Sequence, residues 1–300
     1  MEFTRPDMLG ELPPPCRAHT ATLVDRRLFV FGGGQGNVYY NTLYILDTVS
    51  RKWSHVPFPS PPTTSSLPSH SHTLSGTGVP PSSLPLTDPA PDTSSPSSNA
   101  ADTTPPSESA ESEVVPRPRR AHTTVLFKNK LVVFGGGNGT TALNDVWTLD
   151  VSVPPDRMRW TKQQTTGNRP SPRGYHTANL VENIMIIVGG SDGRQTFSDI
   201  FCLNLGELKF LTSFSFVIFA LLLFLFARVE DCLLICAHLI TETMHWSKIR
   251  IEKTHRRLAH TATQVGSYLF IMGGHDGSQY TNELLLYNLG VFIYTVSIID

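Results

Sequence analysis

The chain has 300 residues, enough for one or two domains, and its formal net charge at pH 7 is −1. This near balance of charge gives no electrostatic reason to expect a nucleic-acid partner. Four scattered cysteines are too few for a disulfide framework, and residues 1–15 lack the apolar stretch of a secretory signal, so we expect a cytoplasmic protein.

Taken in chain order, the first predicted elements are four short strands. The apolar runs that form them are rich in Val, Ile, Phe and Tyr and are too short for helices. They lie at 19–24, 28–31, 43–46 and 53–56. Gly32 and Gly33 end the second strand, Asp47 follows the third, and Trp53 begins the fourth. We assign residues 1–56 to an N-terminal tail and this first four-stranded unit.

Residues 57–116 interrupt the strand pattern. The segment holds most of the chain's 23 prolines among many Ser and Thr, and it has no hydrophobic period of either a strand or a helix. A segment of this composition cannot bury enough apolar surface to offset the entropy of ordering, so we predict a disordered, compositionally biased insertion. Its Ser-Pro and Thr-Pro steps, such as those at Ser95 and Thr104, are candidate phosphorylation sites.

The four-stranded unit then recurs three times. The second copy spans 117–165, the third spans 166–205 and resumes at 244–255, the incomplete fourth spans 256–289, and an aperiodic tail follows at 290–300. In every copy 13 residues separate a histidine from the first glycine of a pair, and 15 separate that glycine from an Asp or Asn. The repeated residues are His19, His122, His176 and His260; Gly32, Gly33, Gly135, Gly136, Gly189, Gly190, Gly273 and Gly274; Asp47, Asp150, Asn204 and Asn288; and Trp53, Trp160 and Trp246.

A regular unit of roughly fifty residues, built from short strands and glycine turns, is the signature of propeller blades. We therefore predict an all-β fold, a partial β-propeller of three blades plus most of a fourth. The glycine pair permits positive φ and close approach of neighbouring blades, so we expect the second strand to lie innermost. A side chain at Gly135 or Gly189 should collide with the adjacent sheet. The tryptophans should form apolar plates between blades, and the Asp or Asn residues should cap turns.

An arginine and a histidine precede the first strand in all four copies. The arginines are Arg17, Arg120, Arg173 and Arg257. A catalytic residue is needed once, whereas a structural residue is needed in every blade. The repeated arginines and histidines therefore indicate a structural role.

The double glycine, the Tyr- or Trp-containing strand after it and the spaced Trp resemble the kelch repeat, over about 15–56, 117–205 and 244–289. The resemblance implies a protein-interaction platform, and kelch chains with long linkers are similar to fungal proteins of cell polarity and Ras-pathway signalling. One kelch family, the galactose oxidases, is enzymatic and holds copper with tyrosines and histidines. This chain has no additional cluster of His and Tyr outside the repeat positions.

A second insertion, residues 206–243, is apolar. Its core, 210–227, is long enough for a membrane-spanning helix, but it falls between the third and fourth strands of one predicted blade. A single crossing would place the two halves of that blade in different compartments. Removing 206–241 restores a turn of ordinary length, so we interpret the segment as translated intron, with a single-pass membrane anchor as the alternative. Full-length transcript sequencing distinguishes the two.

The sequence predicts a non-enzymatic scaffold that binds a protein partner through loops between strands. The candidate contacts, in the loops after each glycine pair, are Gln35, Tyr39, Asn138, Asp192, Arg194, Asp276 and Tyr280. We predict no catalytic residue, no cofactor and no metal. The glycine-rich runs 32–36 and 135–139 lack the Lys-Ser/Thr of a phosphate loop, and Cys232 with Cys236 has no second pair at zinc spacing. A membrane-anchored kelch protein and a copper oxidase remain the alternatives.

Overall fold

Short strands joined by tight turns make up most of the chain that the computed structural model describes, which is residues 2–58, 114–206, 243–251 and 253–289. Almost all of the proline-rich insertion, the core of the apolar insertion and the 290–300 tail lie outside the described residues. The predictions made for these three segments therefore stay predictions.

Four antiparallel sheets follow one another along the chain, one for each repeat. The first contains β1 (Leu9–Gly10), β2 (Thr20–Val24), β3 (Arg27–Phe31), β6 (Leu43–Asp47) and β7 (Lys52–Val56), with a hairpin of β4 (Gly34–Gln35) and β5 (Val38–Tyr39) beside it. The second contains β8 (Thr123–Phe127), β9 (Lys130–Phe134), β10 (Val146–Asp150) and β11 (Trp160–Gln163), with a 3-10 turn at Pro155–Arg157. The third contains β12 (Thr166–Gly167), β13 (Thr177–Val181), β14 (Ile184–Val188), β15 (Ile200–Asn204) and β16 (His245–Ile249). The fourth contains β17 (Thr261–Val265), β18 (Tyr268–Met272) and β19 (Leu284–Asn288).

The sheets are arranged as four blades of a β-propeller, which confirms the predicted fold class. The prediction that the second strand lies innermost is wrong. The first strand forms the edge of each sheet, and contacts between successive blades join first strand to first strand, from β2 to β8, β13 and β17. The second strand lies one position further out, because it pairs with the first strand on one side and with the third on the other.

Two short strands that the sequence pattern does not predict lie at outer edges. In the first sheet β1 pairs in parallel with β7, and in the third sheet β12 pairs in parallel with β16. Each contains a glycine, Gly10 or Gly167, at positive φ, where an added Cβ would meet the carbonyl oxygen of the facing strand. These additions cover backbone groups that the outer strands would otherwise leave unpaired.

Apolar side chains fill the spaces between blades because alternate residues of each strand face opposite neighbours. In the third sheet Met185 and Ile187 face the second blade, whereas Ile184 and Ile186 face the fourth. Both faces of this central blade are therefore buried, and its strands are almost continuously apolar as a result.

The outer-strand tryptophans form the interblade plates that the sequence predicts. Trp160 of the second blade contacts Phe31 of the first at 4.8 Å between ring centroids, and Trp246 of the third contacts Phe134 of the second at 5.0 Å. Trp53 is only partly buried, since no described blade precedes the first.

Candidate functional site

The glycine pairs join each blade to the next at one end of the ring. The Gly136 N–H donates to the Arg173 carbonyl oxygen of the following blade at 2.8 Å, and Gly33 and Gly190 make the equivalent bond. A Cβ at Gly135 would lie 2.7 Å from the Arg173 oxygen, and one at Gly189 would lie 2.4 Å from the Arg257 oxygen. These are the collisions that the sequence predicts, and both positions also have positive φ.

Three of the repeated histidines, His122, His176 and His260, are buried where successive first strands meet, whereas His19 is exposed. The Thr20 hydroxyl and His122 Nε2 are 3.0 Å apart, and Thr123 with His176 and Thr177 with His260 repeat this hydrogen bond at the next two interfaces. Burial, together with the nearby Arg119 guanidinium, lowers the pKa of His122 to about 3. The imidazole is therefore neutral at pH 7, and its repetition at three interfaces agrees with a structural role.

In the second blade the structural arginine is Arg119. The sequence repeat had indicated its neighbour, Arg120, for this role. Arg119 is fully buried and makes two hydrogen bonds to the Asp145 carboxylate, at 2.7 and 2.8 Å. Burial alone would raise the pKa of Asp145, but the hydrogen bonds and charge of Arg119 outweigh it and leave that pKa below its usual value.

The same pair occurs in the third and fourth blades, although the Glu283 side chain of the fourth is 56% exposed. Arg173 binds Asp199 at 2.6 Å, and Arg257 binds Glu283, each acid lying 26 residues after its arginine. An Arg three residues before the repeated His, followed by an acid at this fixed distance, is a signal that could have found these pairs. The first blade has Cys16 and Thr42 at the corresponding positions, so neither an arginine nor an acid is present there.

One end of the ring presents the loops that the sequence selects as partner contacts. We call the residues before each first strand the lead segments, 16–18, 119–121, 173–175 and 257–259. Each lead segment pairs through its backbone with the start of the loop after the glycine pair, as Arg17 does with Gly34 and Arg120 with Gly137. Lead segments and post-glycine loops therefore form a single surface, which we call the binding face.

Three of the four loops are held in one shape by a side chain of their own. The Oδ1 atoms of Asn138, Asp192 and Asp276 each accept backbone N–H bonds from residues two and three further along, at 2.7 to 3.0 Å. These hydrogen bonds lower the pKa of Asp276 to about 2, so this carboxylate is charged at neutral pH. The first loop instead forms the β4–β5 hairpin, which contains Gln35.

The candidate contact residues differ in exposure. Gln35, Arg194 and Tyr280 are exposed, and Tyr280, the most exposed of these, meets the His275 ring edge-on at 4.9 Å. Tyr39 is half-buried beneath the Arg120 guanidinium, which lies 4.8 Å from its ring centroid. All the candidates lie on the binding face, but they are distributed over four blades rather than gathered in one pocket.

The ends of the apolar insertion lie together in the fold. The Met244 N–H donates to the Asn204 carbonyl oxygen, and β15 pairs with β16 on either side of the gap. Among the described residues no helix has the length and apolar character to span a membrane.

No group of three or more His, Cys, Asp or Glu side chains suited to a metal ion occurs in residues 2–58, 114–206, 243–251 and 253–289. The two cysteines among the described residues, Cys16 and Cys202, are free thiols. Burial raises the pKa of the Cys202 thiol, which keeps it protonated.

Repeated four-stranded sheets joined through glycine pairs, with tryptophan plates between them, define a β-propeller. The Kelch motif matches residues 15–57 and 256–290, and the KLHDC2/KLHL20/DRC7 Kelch-repeats domain matches residues 100–213. Together these two kelch models cover more than half of the chain. The chain belongs to the kelch-repeat family.

Similar proteins come from animals and plants. Host cell factor 1 of Homo sapiens is 28% identical over 303 residues, which cover 91% of this chain and 13% of that protein. Host cell factor 2 of Homo sapiens is 32% identical over 213 residues, which cover 62% of this chain and 25% of that protein. Acyl-CoA-binding domain-containing protein 4 of Arabidopsis thaliana is 23% identical over 309 residues, which cover 98% of this chain and 40% of that protein. The chain thus spans less than half the length of each of these relatives.

Proposed function

We propose that the chain is a non-enzymatic scaffold that binds a protein partner through its binding face. The observation that supports this is a contrast. The repeated framework residues pack the blades together, whereas the side chains on the binding face vary from blade to blade. Blades two to four bury their repeated histidine, and the glycine pairs of blades one to three bond to the next blade, so specificity is left to the loops and lead segments.

The physical form of this face suits binding. Its loops are fixed by internal hydrogen bonds, so little conformational entropy is lost when a partner docks. Exposed or half-exposed aromatic and arginine side chains, among them Tyr39, Arg120, Tyr175 and Tyr280, are the residue types enriched at protein interfaces.

Affinity capture with matched variants tests the proposal. The full chain serves as bait beside two variants, the double variant Arg194→Ala/Tyr280→Ala on the binding face and Lys130→Ala at the opposite end of the second blade. We expect captured proteins to be lost with the double variant and retained with Lys130→Ala. Identical capture by all three baits would contradict binding through this face.

The finer assignments rest on the sequence: the role on the kelch resemblance, the location on cysteine usage and the composition of residues 1–15. A role in cell polarity or signalling is our proposal, and the identity of proteins captured specifically by the binding face tests it. A cytoplasmic location is likewise a proposal, which cell fractionation tests.

A further inference from the structure

We infer that the half of the binding face formed by the first two blades takes an acidic segment of a protein partner, held by Arg17 and Arg120. This inference rests on the proposed function, because it names the chemistry of the partner for the same surface.

The charge of the binding face changes between its two halves. Two residues before the repeated histidine, the first and second blades have arginine, whereas the third and fourth have Gly174 and Leu258. Three residues after the first glycine of the pair, the order is Gln35, Asn138, Asp192 and Asp276. Blades one and two therefore combine two cations with neutral loops. In blades three and four the equivalent lead positions are uncharged, Arg173 and Arg257 have acidic partners, and the loops contain Asp192, which Arg194 follows, and Asp276.

The two arginines lie on neighbouring backbone segments. The Ala121 N–H donates to the Ala18 carbonyl oxygen at 2.9 Å, which places the lead segments of the two blades side by side around the ring axis. Arg17 and Arg120 immediately precede these two alanines. Their side chains therefore start from adjacent points on one face.

Neither guanidinium has a carboxylate partner, although that of Arg120 donates a hydrogen bond to the Gly36 carbonyl oxygen at 3.5 Å. Arg119 has a buried carboxylate partner, but no described Asp or Glu lies within ion-pair distance of the Arg17 or Arg120 guanidinium. Arg17 is exposed and Arg120 is half-exposed. Two unpaired guanidinium groups on adjacent segments match the bidentate hydrogen bonding of carboxylates.

Arg120 is held in position by an aromatic ring. Its guanidinium lies over Tyr39, and Tyr39 is so close to the neighbouring loop that a Cβ on Gly139 would lie 2.7 Å from the ring. The ring therefore supports the cation from below and reduces the freedom that Arg120 would lose on binding.

An exposed tyrosine continues the same row. Tyr175 occupies the position that is alanine in the other three blades, and its N–H donates to the Ala121 carbonyl oxygen at 2.9 Å. It is 43% exposed, with a φ of 57°. Arg17, Arg120 and Tyr175 thus form a row of two cations and one aromatic side chain that a short peptide can span.

The charge pattern favours a peptide over a nucleic acid. A nucleic-acid backbone extends its negative charge along its whole length, and neutralising it requires many cations. Two arginines are few for that purpose, and Asp276 on the other half of the face, in a loop without Arg or Lys, would repel a long polyanion. A short acidic segment meets only the positive half.

Fluorescence anisotropy tests the inference with the full chain. The probe is a fluorescein-labelled twelve-residue peptide of alternating glutamate and serine with one central leucine, and its control is the same peptide with glutamine for glutamate. We expect the glutamate peptide alone to bind, with an affinity that falls as salt rises. The double variant Arg17→Glu/Arg120→Glu should weaken binding at least tenfold, whereas Lys130→Glu, a charge reversal at the opposite end of the second blade, should change it less than twofold.

Unchanged thermal unfolding of both variants shows that the fold is intact. Three results overturn the inference: no binding of the glutamate peptide by the wild-type chain, equal weakening by Lys130→Glu, or tighter binding of a single-stranded DNA oligonucleotide of the same net charge. The proposed function fails separately, when affinity capture does not depend on the binding face at all. Capture that needs Arg194 and Tyr280 but not Arg17 and Arg120 refutes only the acidic partner.

Discussion

Removing the carboxylate of Asp145 should destabilise the propeller strongly, because it leaves the Arg119 charge buried without a partner. The Arg119 side chain is fully buried, and that of Asp145 is 15% exposed. Breaking a buried pair on one side costs about 3–5 kcal/mol. The Asp145→Asn variant should therefore lose about that much free energy of unfolding, a large part of the roughly 5–15 kcal/mol typical of a folded domain.

Urea unfolding followed by tryptophan fluorescence measures this loss. With an m-value of about 3 kcal/mol/M, the midpoint should fall by about 1–2 M. The matched control is Asp150→Asn, which removes an exposed carboxylate that accepts only local hydrogen bonds from Ser152. Its midpoint should shift by less than a third of that amount.

The double variant Arg119→Met/Asp145→Leu separates burial of a charge from loss of a contact. Replacing both partners by apolar side chains removes the unpaired charge, so the double variant should regain most of the stability lost in Asp145→Asn. The first blade already carries an uncharged pair, Cys16 and Thr42, at these positions. A double variant less stable than Asp145→Asn, or a single variant within 1 kcal/mol of wild type, would refute the reasoning.

Three further predictions concern other parts of the framework. Because the pKa of His122 is about 3 when folded and near 6.5 when unfolded, its contribution to stability is complete above pH 6.5 and is lost as pH falls. Between pH 7 and pH 4.5 this residue should lower the free energy of unfolding, measured by urea denaturation, by up to about 3 kcal/mol. His122→Gln should remove this share of the decline and leave that of His176 and His260, whose pKa values burial also lowers. Gly135→Ala should cost about 2–4 kcal/mol through its positive φ and its contact with the Arg173 oxygen, and a calorimetric Tm equal to wild type would contradict this. Leu286, 58% exposed on the open face of the fourth blade, should promote association, so light scattering should show fewer aggregates for Leu286→Lys but loss of folding for Leu269→Lys in the buried interface.

The regularity of the sequence was sufficient to predict the sheets. Strand positions follow from short apolar runs between turn residues, and the fixed spacing from histidine to glycine shows that the same local structure recurs. The structure places the predicted first-blade strands within one residue of their expected ends, as in Thr20–Val24 and Lys52–Val56. Hydrogen bonds within a hairpin join residues close in sequence, so a single repeat contains the information that forms it.

The neighbouring arginines Arg119 and Arg120 of the second blade show what the repeat pattern could not reveal. Arg119 and Arg120 are identical neighbours, and a comparison of short motifs assigned the wrong one to the framework. Only the packed structure shows that Arg119 is buried against Asp145 and that Arg120 lies over Tyr39 on the surface. Consecutive residues of an extended segment face opposite sides, so a shift of one position exchanges a structural role for a binding role.

The sequence by itself determined the repeated sheet, its glycine turns and the tryptophan plates, because these depend on local spacing and on the need of each sheet to bury both faces. Only the tertiary structure decided that the first strand is innermost and that Arg17, Arg120 and Tyr175 lie in one row. Those relations depend on hydrogen bonds between blades, such as that from Ala121 to Ala18, which join residues about a hundred positions apart. No local pattern records such contacts, since they exist only once neighbouring sheets have packed.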